Sequence, residues 1–136
     1  MTPTEAARVL FEEAWNEQDF TSLQRLLADE VLLHIAGNTR TTDIEDLERT
    51  VASWHAAFPD LRFEIHSITA DETSVAVRAT LHGTHLGPWG DRQPTGASIS
   101  VDHAFFLRME NGLIAEVWEF IDNRTFTHQL SGGKGP

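Results

Sequence analysis

Residues 99–121 read ISVDHAFFLRMENGLIAEVWEFI, two runs of alternating apolar and polar residues around a turn. Alternation with a period of two on both sides of a glycine-containing turn predicts an antiparallel hairpin. A three-residue loop at 110–112, with Gly112 in the left-handed conformation, places His103 opposite Glu119. We expect this register because it gathers the apolar residues of both strands on one face.

The alternative is a two-residue turn at Asn111 and Gly112, which would place Glu119 opposite Ala104 and separate it from His103. That register mixes Asp102 with the apolar residues of the second strand, so the hydrophobic pattern disfavours it.

In the expected register, His103 and Glu119 are the polar residues on an otherwise apolar face. Opposed residues have Cβ atoms about 5 Å apart, which is close enough for a hydrogen bond or an ion pair. We expect desolvation to raise the pKa of the carboxyl and a charged imidazole to lower it, as is common for an acid/base group. The pair is therefore a candidate catalytic site; the alternative is a structural ion pair.

The composition limits the classes of function. The chain has 136 residues and no cysteine, which suits one domain without disulfides or thiolate ligands. Its formal net charge of -11 disfavours nucleic-acid and anionic-membrane binding. We found no long apolar run and no signal-peptide pattern, so we expect a soluble, cytoplasmic protein.

The rest of the chain predicts helices before strands. Thr2-Pro3-Thr4-Glu5 is a helix start, a short helix follows from about Asp19, and a third begins at Thr42 or Asp43 and ends before Pro59. Alternating strands follow residue 60, and 31–35 form an earlier strand. This order predicts an α+β fold in which a strongly bent, antiparallel or mixed sheet packs on three N-terminal helices as a cone with an internal pocket. Residues 1–130 should form a single domain, with 131–136 as a frayed tail.

The other face of the hairpin is also apolar. It carries Ile114, Trp118, Phe106 and Phe120 among charged residues. An apolar patch that spans both strands of the hairpin is too large to be left exposed to water. We therefore expect a homodimer that forms through the outer face of the sheet.

Several motifs resemble one family. They are residues 57–62 (AFPDLR), 83–87 (GTHLG), 94–96 (PTG), Arg108 with 111–114 (NGLI), and 116–119 (EVWE). They are similar to the SnoaL-like polyketide cyclases, of the nuclear-transport-factor-2-like superfamily, over nearly the whole chain. The resemblance implies a cone-shaped α+β domain with an internal pocket.

The resemblance also implies a chemistry. Such cyclases use an acidic residue to form an enolate that closes a ring by intramolecular aldol addition, and Glu119 occupies that position, where the family usually has aspartate. A histidine common in the family is replaced by Phe105, and His103 lies one step further along the same face. The expected substrate is a hydrophobic, ketone-bearing small molecule, namely an aromatic polyketide intermediate. The alternatives are hydrolase or hydroxylase chemistry on a related polycyclic compound, or a binding domain without catalysis.

The resemblance places His34 on the pocket wall, where it could donate a hydrogen bond to a substrate carbonyl; the alternative is a half-buried structural histidine. Further candidates are aromatic residues able to line a pocket for a flat ligand: Trp15, Trp54, Phe58, Trp89 and Phe105.

The remaining polar residues favour structural roles. His55 is interpreted as a helix-flank residue and Asp122 as a cap or surface residue. His82 and His85 are three apart in an extended segment and should point to opposite faces, so we expect no metal site. No nucleotide-binding fingerprint is present, and we expect no cofactor.

Overall fold

The structure is a computed structural model that describes residues 1–132. Its helical elements are α1 (Pro3–Arg8), continued by a π-helical segment (Val9–Trp15), α2 (Leu23–Leu26), α3 (Ile44–Ala57) and α4 (Asn123–Leu130). Its strands are β1 (Leu27–Ile35), β2 (Asn38–Thr42), β3 (Arg62–Ala70), β4 (Ser74–Thr84), β5 (Ser98–Glu110) and β6 (Leu113–Ile121). Within the described residues, none of the helices combines the length and apolar character needed to cross a bilayer.

The six strands form one mixed sheet in the order β2-β1-β6-β5-β4-β3. β1 pairs with β6 in parallel, and the other neighbours are antiparallel. Register shifts interrupt the pairing of β1 with β6, of β3 with β4 and of β5 with β6. Such bulges bend a sheet locally. The α+β prediction is confirmed: helices cover the inner face of an open, bent sheet.

Local sequence signals fix the two main helix starts. The Thr2 hydroxyl accepts a hydrogen bond from the backbone N–H of Glu5 at 3.1 Å, and Pro3 opens α1. The Asp43 carboxylate accepts the N–H of Asp46 at 2.9 Å and caps α3. Both starts agree with the sequence prediction.

The hairpin register differs from the predicted one. Glu110 pairs with Leu113, so the loop has two residues, and Asn111 and Gly112 both have positive φ (53° and 77°), as a type I′ turn requires. An extra residue then enters β6 between the partners of Met109 and Arg108. This bulge shifts the register again, and His103 pairs with Ile121 while Phe105 pairs with Glu119. His103 and Glu119 therefore stay on one face but are diagonal neighbours.

The bulge also changes the prediction for Ile114. Residues on either side of an inserted residue lose simple alternation, and Ile114 is fully buried in the core instead of lying on the outer face.

Two elements were missed by the sequence analysis. β2 is a short, largely exposed edge strand, and α4 is a polar helix of eight residues. Both are short and weakly patterned, and both lie beside the cavity described below. Of the predicted tail, Ser131 and Gly132 donate backbone hydrogen bonds to α4, and 133–136 lie outside the described residues.

Candidate active site

A cavity of about 400 Å³ lies between the inner face of the sheet and the helices. That volume is within the range of small-molecule sites. Its wall is mainly aliphatic and aromatic, with these polar side chains: Arg40, Thr42, Asp46, Thr50, His103, Glu119, Asn123 and Thr127. The cavity is therefore an apolar pocket with a small number of polar groups.

Glu119 reaches the cavity from β6, where alternation places it on the same face as Val117 and Ile121. Its side chain is 21% exposed, and no hydrogen bond to its carboxylate is formed within the described part of the chain. Burial raises the pKa of Glu119 from 4.5 to about 7, and the charge of Arg40 opposes that rise. The carboxyl is thus poised to gain or lose a proton near neutral pH.

His103 lies beside Glu119 and is almost fully buried, with 1% of its side chain exposed. Its Nδ1 is 3.2 Å from the Val101 carbonyl, which can only accept, so we assign the proton of the neutral ring to Nδ1. The unprotonated Nε2 then faces the Glu119 carboxyl at 3.7 Å.

The electrostatics of this pair differ from the prediction. Burial lowers the pKa of His103, so a neutral imidazole is favoured, and the positive charge that lowers the pKa of Glu119 is that of Arg40. At 3.7 Å the two side chains are also beyond hydrogen-bond distance. They are neighbours in an apolar wall, not a buried ion pair.

Arg40 and Asp46 form an ion pair where the cavity meets solvent. The Arg40 Nη1 donates to the Asp46 carboxylate at 2.7 Å, and the side chain of Arg40 is 51% exposed. Thr42 donates to the same carboxylate oxygen, and Arg40 is the leading cause that lowers the pKa of Asp46. Asp46 is therefore ionised and orients the guanidinium.

Four of the five predicted aromatic residues line the cavity: Trp15, Trp54, Trp89 and Phe105. Phe58 does not. It is fully buried behind Trp54, with ring centroids 5.9 Å apart, because helix α3 ends at this point and turns its last aromatic residue into the core. Whether the four cavity residues contact a ligand stays a prediction.

Trp89 belongs to the connection between β4 and β5, which is tied to the end of α3. The backbone N–H groups of Leu86 and Gly87 both donate to the Ala57 carbonyl at 3.0 Å. A Cβ at Gly87 would lie 2.0 Å from the Ala56 carbonyl oxygen, so only glycine allows this approach. The connection thereby holds Trp89 against Trp54, with centroids 4.2 Å apart.

The placement of His34 on the pocket wall was wrong. In β1, Leu33 and Ile35 face the cavity, so the intervening His34 points to the outer face. There its Nε2 lies 2.6 Å from the Glu116 carboxylate, its Nδ1 lies 2.8 Å from the Thr39 hydroxyl, and its ring stacks on Trp118.

The other histidines lie outside the cavity. His55 bonds the Trp15 carbonyl at 2.6 Å and joins α3 to the N-terminal helix. His82 pairs with Glu64 at 2.9 Å on the surface, whereas His85 is fully buried under the β4–β5 connection. No group of three potential metal ligands occurs in residues 1–132.

The Asp122 carboxylate accepts the N–H of Thr125 at 3.1 Å, which confirms its predicted capping role.

Arg40 is one of the polar cavity residues that the sequence analysis missed, with Thr42, Asp46, Thr50, Asn123 and Thr127. β2 pairs with β1 through a turn in which Ala36 and Gly37 have positive φ, and this register places Arg40 opposite Leu33. Had the turn at 36–37 been read as a hairpin, alternation would have placed Arg40 on the face of Leu33.

Comparisons with known proteins agree with this architecture. Solved structures similar to this chain include IdmH from Streptomyces antibioticus, named "a putative polyketide cyclase" (28% identity, TM-score 0.81, 96% of this chain and 99% of that one). AclR from Streptomyces galilaeus, named "a putative hydroxylase", has 28% identity and a TM-score of 0.79 over 96% of this chain and 83% of that one. A protein from Acidithiobacillus ferrooxidans shares the fold, with 23% identity and a TM-score of 0.83 over 97% and 96% of the two chains.

No curated protein matches the chain. The sequence model of the SnoaL-like polyketide cyclases matches residues 5–130, which is nearly the full length, from α1 to the end of α4. On that match, together with the cone-shaped α+β fold, the chain belongs to the SnoaL-like polyketide cyclase family.

Proposed function

We propose that the protein is an acid/base catalyst in which Glu119 removes a proton from carbon next to a ketone of a hydrophobic small molecule. The observation that carries this proposal is a cavity-lining carboxyl whose pKa is about 7. A general base is most effective when its pKa lies near the working pH, since it is then both available and basic enough.

The chemistry that best suits the site is an intramolecular aldol cyclisation. Glu119 takes a proton from the carbon next to a ketone and so breaks its C–H bond, and the resulting enolate carbon attacks another ketone of the same molecule. The π bond of that ketone opens to an alkoxide, which takes the proton back from Glu119. One carbon–carbon bond forms, and no electrons are gained or lost. The family membership and the similarity to IdmH support this reaction class.

The surroundings of Glu119 favour such a step. Water would compete for the enolate and for the carboxylate, and the aromatic wall formed by Trp15, Trp54 and Phe105 limits its access. His103 borders the carboxyl with its unprotonated Nε2, which can accept a hydrogen bond from the protonated carboxyl once the two side chains close the 3.7 Å gap. His103 is thus proposed as the residue that orients Glu119.

The test is exchange of the acidic C–H protons of 2-tetralone, a bicyclic ketone, in deuterated water, followed by NMR. Glu119→Gln keeps the shape of the side chain but removes the base, and should slow catalysed exchange about a hundredfold or more. The matched control is Glu116→Gln, on the outer face of the same strand, which should stay within about twofold of the wild type. Equal rates for wild type and Glu119→Gln would contradict the proposal, as would a wild-type rate no higher than that of buffer.

A second candidate is hydroxylation, which the similarity to AclR favours. The two reactions differ in their products. Cyclisation gives an isomer of the substrate, or that isomer less water, whereas hydroxylation needs an external oxidant and adds an oxygen atom, so the mass of the product distinguishes them.

A further inference from the structure

The distribution of charge in the cavity is uneven. Its inner part holds His103, for which burial favours the neutral ring, and Glu119 with a pKa of about 7. Arg40 lies at the outer part and is half exposed. Among the described residues that line the cavity, it is the one that carries a permanent positive charge. For a chain with a net charge of -11, a cation in this position needs an explanation.

The ion pair with Asp46 holds the Arg40 guanidinium in a fixed orientation and engages one of its nitrogen atoms. Asp46 engages its Nη1, and Asp46 is itself shared with Thr42 and with Arg49, whose Nη2 lies 3.5 Å away. A guanidinium has five N–H donors, and within the described residues the other donors of Arg40 have no protein acceptor. They are therefore available to a ligand.

The register of the sheet directs Arg40 toward the reacting group. Arg40 pairs with Leu33, which pairs with Val117, while Glu119 pairs with Ile35 one step further along the same two strands. All of these side chains line the cavity. The field of Arg40 reaches Glu119, since it is the charge that lowers the pKa of that carboxyl. A ligand can thus contact both residues along one wall.

We propose that Arg40 binds a carboxylate at the outer end of the ligand, so that the cavity takes flat, apolar acids in preference to neutral molecules of the same shape. This deepens the proposed function and rests on it in one respect, namely that the cavity is the substrate site. The carboxylate at the rim would leave the apolar body between the aromatic side chains and its ketone beside Glu119. Arginine suits this role because its planar donors match the two oxygens of a carboxylate.

The test measures binding, not turnover, with two probes of nearly equal shape: anthraquinone-2-carboxylate and anthraquinone-2-carboxamide. Their affinities follow from quenching of Trp15, Trp54 and Trp89 fluorescence. The wild type should bind the carboxylate at least about tenfold more tightly than the amide, as expected for a charge-assisted pair. Arg40→Gln should remove this preference and leave amide binding within about twofold.

The matched control is Arg49→Gln. Arg49 contacts the same Asp46 but is 70% exposed and does not line the cavity, so its loss should leave the preference intact. In the wild type, raising salt from about 50 mM to about 500 mM should reduce the preference, because the ion pair lies at a solvent-exposed rim. The proposal is overturned if the wild type lacks the preference or fails to bind the carboxylate, if the preference survives in Arg40→Gln or is lost equally in Arg49→Gln, or if it is insensitive to salt.

The outcome is separable from that of the proposed function. Glu119→Gln should keep the carboxylate preference while losing proton exchange. If Glu119→Gln exchanges protons normally, the acid/base assignment fails, yet the binding preference still stands or falls with Arg40.

Discussion

Two histidine–glutamate pairs lie on opposite faces of the same sheet. On the inner face, His103 and Glu119 are 3.7 Å apart in an apolar wall. On the outer face, His34 and Glu116 are 2.6 Å apart, and Arg108 donates to the same carboxylate at 2.9 Å. The inner carboxyl has a raised pKa, caused by burial, and the outer one has a lowered pKa, caused by hydrogen bonds from His34 and Arg108.

The difference shows that residue type does not decide the chemistry of such a pair. Both carboxyls belong to β6, three residues apart, and both face a histidine on a neighbouring strand. The inner one lacks a directly bonded cation and is surrounded by the apolar wall of the cavity, so its charged form is disfavoured. The outer one has two donors and remains ionised, which suits a structural role.

The pH dependence of the stability of variants should distinguish the inner carboxyl from the outer one most clearly. The pKa of Glu119 is raised from 4.5 to about 7, so between these values this carboxyl holds more protons in the folded than in the unfolded state, and its contribution to stability falls as pH rises. Glu119→Gln stays neutral, and its stability relative to the wild type should grow by roughly 3 kcal/mol across this window and then level off. The contribution of His103 is common to both proteins and cancels.

Urea unfolding at pH 3, 4.5, 6 and 8 measures this effect. Glu116→Gln should show the opposite sign: the pKa of Glu116 is lowered, so its contribution to stability is present above pH 4.5 and is lost as pH falls through the lower value. A stability difference between Glu119→Gln and the wild type that does not change with pH would mean that Glu119 titrates normally.

The pH dependence of proton exchange sharpens the same comparison. If the carboxylate of Glu119 is the base, the rate should rise by about tenfold per pH unit below pH 7 and level off above it. Glu116→Gln should not move the midpoint. Arg40→Gln should shift it to higher pH, because the charge of Arg40 lowers the pKa of Glu119. A midpoint near pH 4.5 in the wild type would contradict the inner-face assignment.

The outer face offers the test with the least expected effect on chemistry. Phe106 and Phe120 are 47% and 57% exposed and contact each other edge to face, so we propose that this patch forms the homodimer interface. Phe120→Glu should convert a dimer to a monomer in analytical ultracentrifugation, with proton exchange within about twofold of wild type. The matched control, Leu86→Glu, changes a 60% exposed residue on the β4–β5 connection and should remain dimeric. A monomeric wild type would contradict the proposal.

The sequence was most informative where a local pattern has one structural solution. The capping residues Thr2 and Asp43 and the alternation of β3 to β6 predicted the main helices and strands. The alternation of side chains along β5 and β6 also placed His103 and Glu119 on one face, even though the predicted loop length was wrong. The Asn111-Gly112 turn and the bulge each shift the register by one residue, so the two shifts together preserve the face and change only the partner.

The sequence determined the α+β class, the main helix caps and the shared face of His103 and Glu119, because these follow from short-range sterics and from periodicity. The tertiary structure alone decided that His34 points away from the cavity, that Phe58 is buried behind it, and that Arg40 and α4 border it. These outcomes depend on pairing between distant strands and on which groups lose contact with water. The same cause gives Glu119 and Glu116 opposite pKa shifts, because desolvation and bonded partners are properties of the folded environment and not of the residue.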